Sequence, residues 1–397
     1  GNSLPVQATY NVSLRMISNE AAKQLINICS FLAPERISIQ WFKETRKQIL
    51  SPLRRALNSD EELDTVLYEL EEYSLLKIEN NRIFIHRMIQ EAVKKMLNKK
   101  KYLRVCINIF DRVIDIDFSN ANNRLLFQEV LSHIVSILSQ ITWKIKQRNV
   151  GNLYNYIGVG YYEFCDFLNA KKYLTMSLKF HKTTYGKEHA RTAIAYNNLA
   201  SILKSIGLYK ESELLYKRAI EIDVKNNGAN HVLVAIDKSN LGELLTDLNR
   251  FEDGEIYLKE ALQIYDTLNI TPNTTVLNNL AEIFRLTGRF SDAESLYRRA
   301  LKIDEELYGS QHPEVATVLN NLALLLESTA RFNEAEQLSR KALKIDMEVY
   351  GEDHHRIAKD VSSLATIVEH KNQFSEAEEY YLKALHINEK IFGKHPT

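Results

Sequence analysis

Asn320-Asn321-Leu322-Ala323 is the clearest copy of a tetrapeptide that recurs through the last two-thirds of the chain. The leucines of its five copies are separated by 42, 39, 42 and 42 residues, and a weaker version lies 42 residues before the first copy. A fixed period of this length predicts an array of similar structural units. The other copies are Asn197-Asn198-Leu199-Ala200, Ser239-Asn240-Leu241-Gly242, Asn278-Asn279-Leu280-Ala281 and Ser362-Ser363-Leu364-Ala365.

The pattern within each unit predicts two helices. After the tetrapeptide a second apolar set follows at helical spacing, as in Leu296, Tyr297 and Ala300. Only 13 Gly and 6 Pro occur in 397 residues, too few for the turns of a sheet-rich fold, so we expect a nearly all-α protein. Because one hairpin cannot bury its apolar face alone, six units of about 42 residues are expected to stack into an α-solenoid over residues 150–397.

This pattern resembles tetratricopeptide repeats of the kinesin-light-chain type, both in the tetrapeptide and in closing loops such as Gly309 to His312. The resemblance implies that the first helices line a concave groove that binds a protein or peptide partner. Asn suits such a wall because its amide both donates and accepts hydrogen bonds. The alternative is that these residues only pack neighbouring helices and that the array is a spacer. The groove residues that the resemblance implies are Asn197, Asn198, Lys204, Asn240, Glu243, Asn278, Asn279, Glu282, Arg285, Asn320, Asn321 and Glu327.

Residues 9–98 follow a different pattern, which predicts a winged helix. Ser59 opens a helix to about Tyr73 with a capping box. Two short strands flank the turn Asn80-Asn81, and this hairpin is the only strand pair that we predict. Winged helices can bind DNA, but the helix that would enter the major groove holds seven carboxylates and no Lys or Arg. Those carboxylates would repel phosphates, so no binding to nucleic acid is expected.

Parts of this region also resemble the winged-helix region of NB-ARC-type STAND ATPases, which connects a nucleotide-binding module to a repeat sensor. The resemblance implies that His86 contacts the phosphate of ADP and that Arg87 adds positive charge there. The other interpretation of His86 is a cap for the following helix. No G-x-x-x-x-G-K-[ST] loop occurs, so we expect no cofactor in this chain itself, and ADP or ATP only with an upstream nucleotide-binding module in cis. The stretches that carry the resemblance are Phe31–Ser38, Tyr73–Leu76 and Ile85–Gln90.

Residues 99–149 are expected to form a helical linker, and residues 1–8 to be a cleavage remnant and an unstructured tail. A basic run from Lys94 to Arg104 predicts a solvated helix face, with docking onto an acidic surface as the alternative. The 51 basic and 51 acidic residues of the chain cancel. Residues 1–150, however, carry 22 basic against 16 acidic residues, so the two parts differ in composition.

Several classes of function lack their sequence signals. No run of 18 apolar residues or secretion signal occurs, and the three Cys form no CxxC pair, so we expect a cytoplasmic protein without a membrane span. No motif of a catalytic or metal site is present, so no enzyme activity is expected. We expect a sensor fragment of a STAND signalling ATPase that binds a protein ligand and can oligomerise on activation. The rival interpretation is a plain tetratricopeptide adaptor without nucleotide control.

Overall fold

The computed structural model describes residues 12–114, 121–141 and 149–392. The chain divides into two compact units, one of residues 1–118 and 122–160 and the other of residues 119–121 and 161–397. The division falls inside the helix Val150–Glu163, which is the first helix of the repeat array. The two units are described separately below.

Helices build most of the described part of the first unit before the repeats begin. Asn19 caps the first of them by accepting hydrogen bonds from the backbone N–H groups of Ala21 and Ala22. Ser59 caps the acidic helix by accepting from the N–H of Glu62, as the capping box predicts. The helices are α1 (Glu20–Cys29), α2 (Ile39–Glu44), α3 (Leu53–Ala56), α4 (Asp60–Glu72), α5 (Arg87–Met96), α6 (Lys99–Val113) and α7 (Ala121–Ser139).

The first unit also contains a three-stranded antiparallel sheet in the order β1-β3-β2, with β1 at Ile37–Ser38, β2 at Lys77–Glu79 and β3 at Arg82–Phe84. The predicted hairpin is present, and Asn80 and Asn81 turn it with φ of 49° and 61°, the left-handed conformation that tight hairpins need. The prediction that this hairpin is the only strand pair is wrong, because β1 pairs with β3. A strand of two residues is too short to produce an alternating pattern.

Helices from the predicted linker share the core of the first unit. Trp41 of α2 lies edge-on to Phe110 of α6 and to His133 of α7, with ring centroids 5.5 and 5.2 Å apart. Burial lowers the pKa of His133 to about 4, so its ring is neutral at physiological pH. Helix α7 packs on the first helix of the repeat array: the ring of Phe127 occupies the space where a side chain at Gly160 would lie.

The twelve helices of the described residues 149–392 form six helical hairpins. First helices of neighbouring repeats contact one another, so they form the inner layer, and the second helices form the outer layer. Tyr216 and Tyr297, at the same position of two second helices, are among the largest fully buried side chains. In chain order the helices are α8 (Val150–Glu163), α9 (Phe167–Tyr185), α10 (Ala190–Ser205), α11 (Tyr209–Asn227), α12 (Val232–Asp247), α13 (Phe251–Leu268), α14 (Thr274–Leu286), α15 (Phe290–Tyr308), α16 (Pro313–Ser328), α17 (Phe332–Tyr350), α18 (His355–His370) and α19 (Phe374–Phe392).

Candidate peptide-binding groove

The predicted groove residues all lie on the first helices, and several Asn side chains join neighbouring repeats. Asn240 Nδ2 donates to Asn197 Oδ1 at 3.0 Å, which connects repeats 2 and 3. Asn320 Nδ2 donates to Asp360 Oδ1 at 3.2 Å, which connects repeats 5 and 6. These amides therefore pack the array, which is the role that the alternative interpretation of the Asn residues assigns to them.

Other amide atoms of the same set retain hydrogen-bonding capacity. Asn278 Oδ1, Asn279 Nδ2 and Asn320 Oδ1 are buried and have no hydrogen-bond partner among the described residues. Leaving a buried polar atom unpaired costs about 1–3 kcal/mol, so such atoms favour any group that can pair with them. All three atoms belong to repeats 4 and 5, and a ligand reaches them only if the side chains turn, since each atom has almost no exposed surface. Asn198 in repeat 2 and Asn321 in repeat 5 are half-buried.

The charged groove residues of repeats 2 and 3 form ion pairs with one another. Lys204 binds Glu243 and lies 3.7 Å from Asp247. Burial alone would lower the pKa of Lys204, but the two carboxylates outweigh it and raise that pKa above its ordinary value. Lys204 therefore stays protonated and joins two first helices.

Repeat 4 contains a second charged group with a buried hydroxyl. Arg285 donates to both oxygens of Glu282 at 2.6 and 2.8 Å, and Tyr297 donates to the same carboxylate at 3.0 Å. Burial opposes ionisation of Glu282, but the hydrogen bonds from Arg285 prevail and lower its pKa. In the sequence, Tyr297 is recognisable only as a member of the apolar set of the second helix. Tyr recurs at this position in several repeats, which was a signal in the sequence that the residue matters. The sequence gives no information on the direction of its hydroxyl.

Repeats 5 and 6 are joined by a carboxylate and a histidine. Glu327 lies 2.9 Å from Nδ1 of His370, whose ring stacks on Phe332 at 5.5 Å. With Glu243, Glu282 and Glu327 against Lys204 and Arg285, the predicted wall carries a small excess of carboxylates over permanent cations. Because most of these charges are already paired within the wall, we expect uncharged hydrogen bonds to contribute most of its specificity for any ligand.

In the first unit, His86 is the N-cap of α5. Its Nδ1 accepts a hydrogen bond from the N–H of Met88 at 3.2 Å, which agrees with the helix-cap interpretation. Both His86 and Arg87 are exposed, and they line a shallow cavity of about 800 Å³ together with Lys77 and Glu71. The structure thus brings the two predicted phosphate-contact residues to one cavity.

The acidic helix α4 uses some of its carboxylates within the fold. Glu69 accepts from the backbone N–H groups of Ser18 and Asn19. Glu71 accepts from the N–H of Ile78 at 2.7 Å. Asp60 binds Lys43 at 2.7 Å, and the other carboxylates of α4 are exposed.

The described ranges contain neither a metal-binding cluster nor a membrane-spanning helix. No group of three or more His, Cys, Asp and Glu side chains is arranged to hold a metal ion among those residues. In the same part of the chain, no helix combines the length and apolar character that crossing a membrane requires. Burial raises the pKa of the Cys29 and Cys106 thiols well above their ordinary value, so these thiols are unreactive.

Models of protein families match most of the chain. The tetratricopeptide repeat matches residues 149–225, 273–348 and 331–390, and a second tetratricopeptide repeat model matches residues 238–268. Together these matches cover more than half of the chain. Residues 13–102 match a domain of unknown function, DUF7779, so the winged-helix and NB-ARC resemblances remain predictions. No curated protein matches the sequence.

Solved structures resemble the chain in fold at low sequence identity. A Rap protein complexed with competence and sporulation factor is 15% identical with a TM-score of 0.55, over 89% of this chain and 97% of that one. The apo form of RapI is 16% identical with a TM-score of 0.52, over 69% and 98%. A STAND protein with a tetratricopeptide repeat sensor from Pyrococcus horikoshii is 14% identical with a TM-score of 0.43, over 96% and 65%.

Proposed function

We propose a protein-interaction function from the premise that this chain belongs to the tetratricopeptide repeat family. In this proposal the array is a scaffold, and the wall formed by its first helices binds an extended segment of a partner protein. Extended backbone presents alternating N–H and C=O groups, which suit a wall of amide side chains.

One observation carries this proposal. None of Asn278 Oδ1, Asn320 Oδ1 and Asn279 Nδ2 has a partner among the described residues. Once the side chains turn towards a ligand, the two oxygens can accept from its N–H groups and the nitrogen can donate to its C=O. These atoms lie in repeats 4 and 5, so we place the centre of binding there. The Rap protein of similar fold is complexed with competence and sporulation factor, which makes a ligand on such an array plausible.

The groove proposal is tested with peptides selected on the protein itself. A random peptide library is panned on the immobilised chain, and the dissociation constant of a selected peptide is measured by fluorescence anisotropy. We expect Asn279→Ala combined with Asn321→Ala to weaken binding by about tenfold or more, since two amide side chains are removed from the proposed wall. Helicity should not change.

The control for this experiment is Asn333→Ala. Asn333 is exposed on the second helix of repeat 5 and lies outside the predicted wall. If the double variant and Asn333→Ala bind the selected peptide with equal affinity, the peptide does not bind in the proposed groove.

We further propose that, in the natural full-length protein, the N-terminal unit restrains a nucleotide-binding module through contacts with ADP. His86 and Arg87 support this, because both line the 800 Å³ cavity. Since Nδ1 of His86 accepts from the N–H of Met88, Nε2 is the ring nitrogen that would donate to a phosphate oxygen. Partner binding in the groove would then shift the protein towards an active state that can oligomerise. Without such contacts the protein is a plain adaptor.

ADP affinity of the full-length protein distinguishes the switch from the adaptor. His86→Asp keeps a side-chain acceptor for capping α5 but replaces the phosphate donor with a negative charge. We expect this variant to raise the dissociation constant for ADP by about tenfold or more. His189→Ala, which removes the cap of a repeat helix, is the control. Unchanged ADP affinity in His86→Asp, or no ADP binding by the wild type, favours the adaptor.

A further inference from the structure

A cysteine of repeat 1 lies against a histidine of repeat 6, and both residues belong to the second unit. The Sγ atom of Cys165 is 3.1 Å from Nδ1 of His355, although 190 residues separate the two in the chain. Hydrogen bonds between neighbouring repeats span far fewer residues, such as 43 for Asn197 and Asn240. The contact therefore joins a nucleophile and a base from distant parts of the array.

Local backbone structure positions both side chains. Cys165 lies in the turn between α8 and α9 with φ of 58°, and its N–H donates to the C=O of Tyr162 at 2.9 Å. His355 is the first residue of α18, and His354 before it is the N-cap of that helix. The rings of His354 and His355 are 4.3 Å apart between centroids. A turn and a helix start thus hold the thiol and the imidazole together.

The surroundings of the thiol favour its charged form. A thiolate is stabilised by a neighbouring imidazolium and by the positive N-terminal end of a helix. His355 supplies the imidazole, and α18, a helix of 16 residues, begins at the same residue. Glu352, the nearby carboxylate of the preceding loop, is exposed, so solvent screens its charge. The other charged neighbours along the chain are engaged in the pairs Asp166 with Asn169, Asp346 with Arg356 and Asp353 with Lys390.

The other two cysteines of the chain lie in a different environment. Cys29 and Cys106 are fully buried, and burial raises the pKa of both thiols well above its ordinary value. Cys165 is partly exposed, so a small reagent can approach it. A reactive cysteine needs both a stabilised thiolate and access from solvent. Of the three cysteines, Cys165 combines the two.

We propose that Cys165 and His355 form a modification site at which the thiol exchanges with a low-molecular-weight disulfide. The thiol proton moves from Sγ to Nδ1, and the thiolate attacks one sulfur of the disulfide. A new S–S bond forms to Cys165 while the original S–S bond breaks, and the second sulfur leaves and takes up the proton as a thiol. Cys165 is oxidised and the leaving sulfur is reduced, so the disulfide is the only reactant required.

The exchange also ends the contact between repeats 1 and 6. A mixed disulfide carries neither the proton nor the negative charge that binds His355, so the hydrogen bond across 190 residues is lost. The state of the thiol is thereby coupled to the arrangement of the array. Cys165 and His355 lie outside the predicted groove wall, so this proposal does not depend on the proposed function.

The test uses the whole chain, with glutathione disulfide as the probe. Acid-quenched samples are digested, and mass spectrometry measures how fast each Cys forms its mixed disulfide at pH 7 and at pH 9. The ionised fraction of an ordinary thiol, with a pKa of about 8.5, rises about 25-fold between these two pH values. We expect the rate at Cys165 to rise less than about fivefold in the wild type. In His355→Ala and in the urea-unfolded wild type it should rise about 25-fold.

His386→Ala is the matched control, because His386 is exposed on the second helix of repeat 6 and its loss should leave the wild-type pH dependence unchanged. Circular dichroism verifies the fold of each variant, and the comparison of folded with unfolded wild type holds even where a variant does not fold. Three results would each overturn the proposal. They are exchange at Cys165 no faster than at Cys29 and Cys106, a wild-type rate that rises as steeply as in the unfolded chain, or equal pH dependence in His355→Ala and His386→Ala.

Discussion

At the scale of single residues, the recurring loop histidines are helix caps. His189, His231, His312 and His354 each precede a first helix, and Nδ1 of each accepts the N–H two residues later at 3.1 to 3.3 Å. Three of these rings also stack on a Tyr four residues earlier. Their recurrence therefore reflects the start of a helix, and His86 uses the same geometry in the first unit.

We expect His312→Ala to lower the free energy of unfolding by about 1 kcal/mol, because the N–H of Glu314 loses its acceptor. His312→Asn should retain most of that stability, since an Asn side chain also caps helices well. Urea denaturation at neutral pH measures both variants. Equal losses for the two variants would mean that stacking on Tyr308, and not the cap, is the dominant contribution.

The candidate site was predictable in part at this scale. The tetrapeptide placed the Asn residues on the first helices, because the period and the helical spacing together define a face. Which amide packs the array and which stays unpaired could not be predicted. That depends on the register between neighbouring helices: Asn197 meets Asn240, whereas Asn279 Nδ2 has no partner among the described residues.

At the scale of elements, the repeats were easier to predict than the first unit. Each packing requirement of a hairpin occurs several times in the sequence, so the small residue at Ala293 and the aromatic at Tyr297 are recognisable by their period. The two-residue strand β1 occurs once, and its pairing with β3 depends on tertiary contacts. The shared core of α2, α6 and α7 likewise joins residues far apart in the chain, such as Trp41 and Phe110.

The ion pairs between hairpins illustrate another limit of prediction at this scale. Glu294 and Arg331 lie 37 residues apart, so only the stacked structure brings them within 2.9 Å. Both side chains are partly exposed, and an exposed pair contributes at most about 1 kcal/mol. Their main effect is therefore on the register between hairpins, while the buried apolar contacts supply most of the stability.

At the scale of the whole molecule, two kinds of shifted carboxyl oppose each other in their dependence on pH. Hydrogen bonds from Arg289 lower the pKa of Glu255 to about 2, so its stabilising contribution is lost as pH falls through the acid range. Burial, and then the neighbouring carboxyls of Asp223 and Asp346, raise the pKa of Asp237 and Asp360 to about 8. These acids keep their proton in the folded protein at neutral pH and lose it on unfolding.

The buried acids therefore make the array less stable as pH rises from about 4 to 8, because the unfolded chain binds fewer protons over that range. We expect Asp237→Asn combined with Asp360→Asn to stabilise the protein at pH 7.5 more than at pH 5.5. An amide can donate the hydrogen bond of the protonated acid without ionising. The upper limit of the gain is about 1.4 kcal/mol per pH unit for each group.

Urea denaturation at pH 5.5, 6.5, 7.5 and 8.5 measures this effect as the difference between variant and wild type, which removes the background of the histidines common to both. Asp304→Asn is the matched control. Asp304 occupies the position of Asp223 and Asp346 in repeat 4, but Val318 stands where the second carboxyl would be. Burial raises its pKa only to about 6, so its contribution should be constant above pH 6.5. If the gain in stability of the double variant does not grow between pH 6.5 and 7.5, the raised pKa values of Asp237 and Asp360 are contradicted.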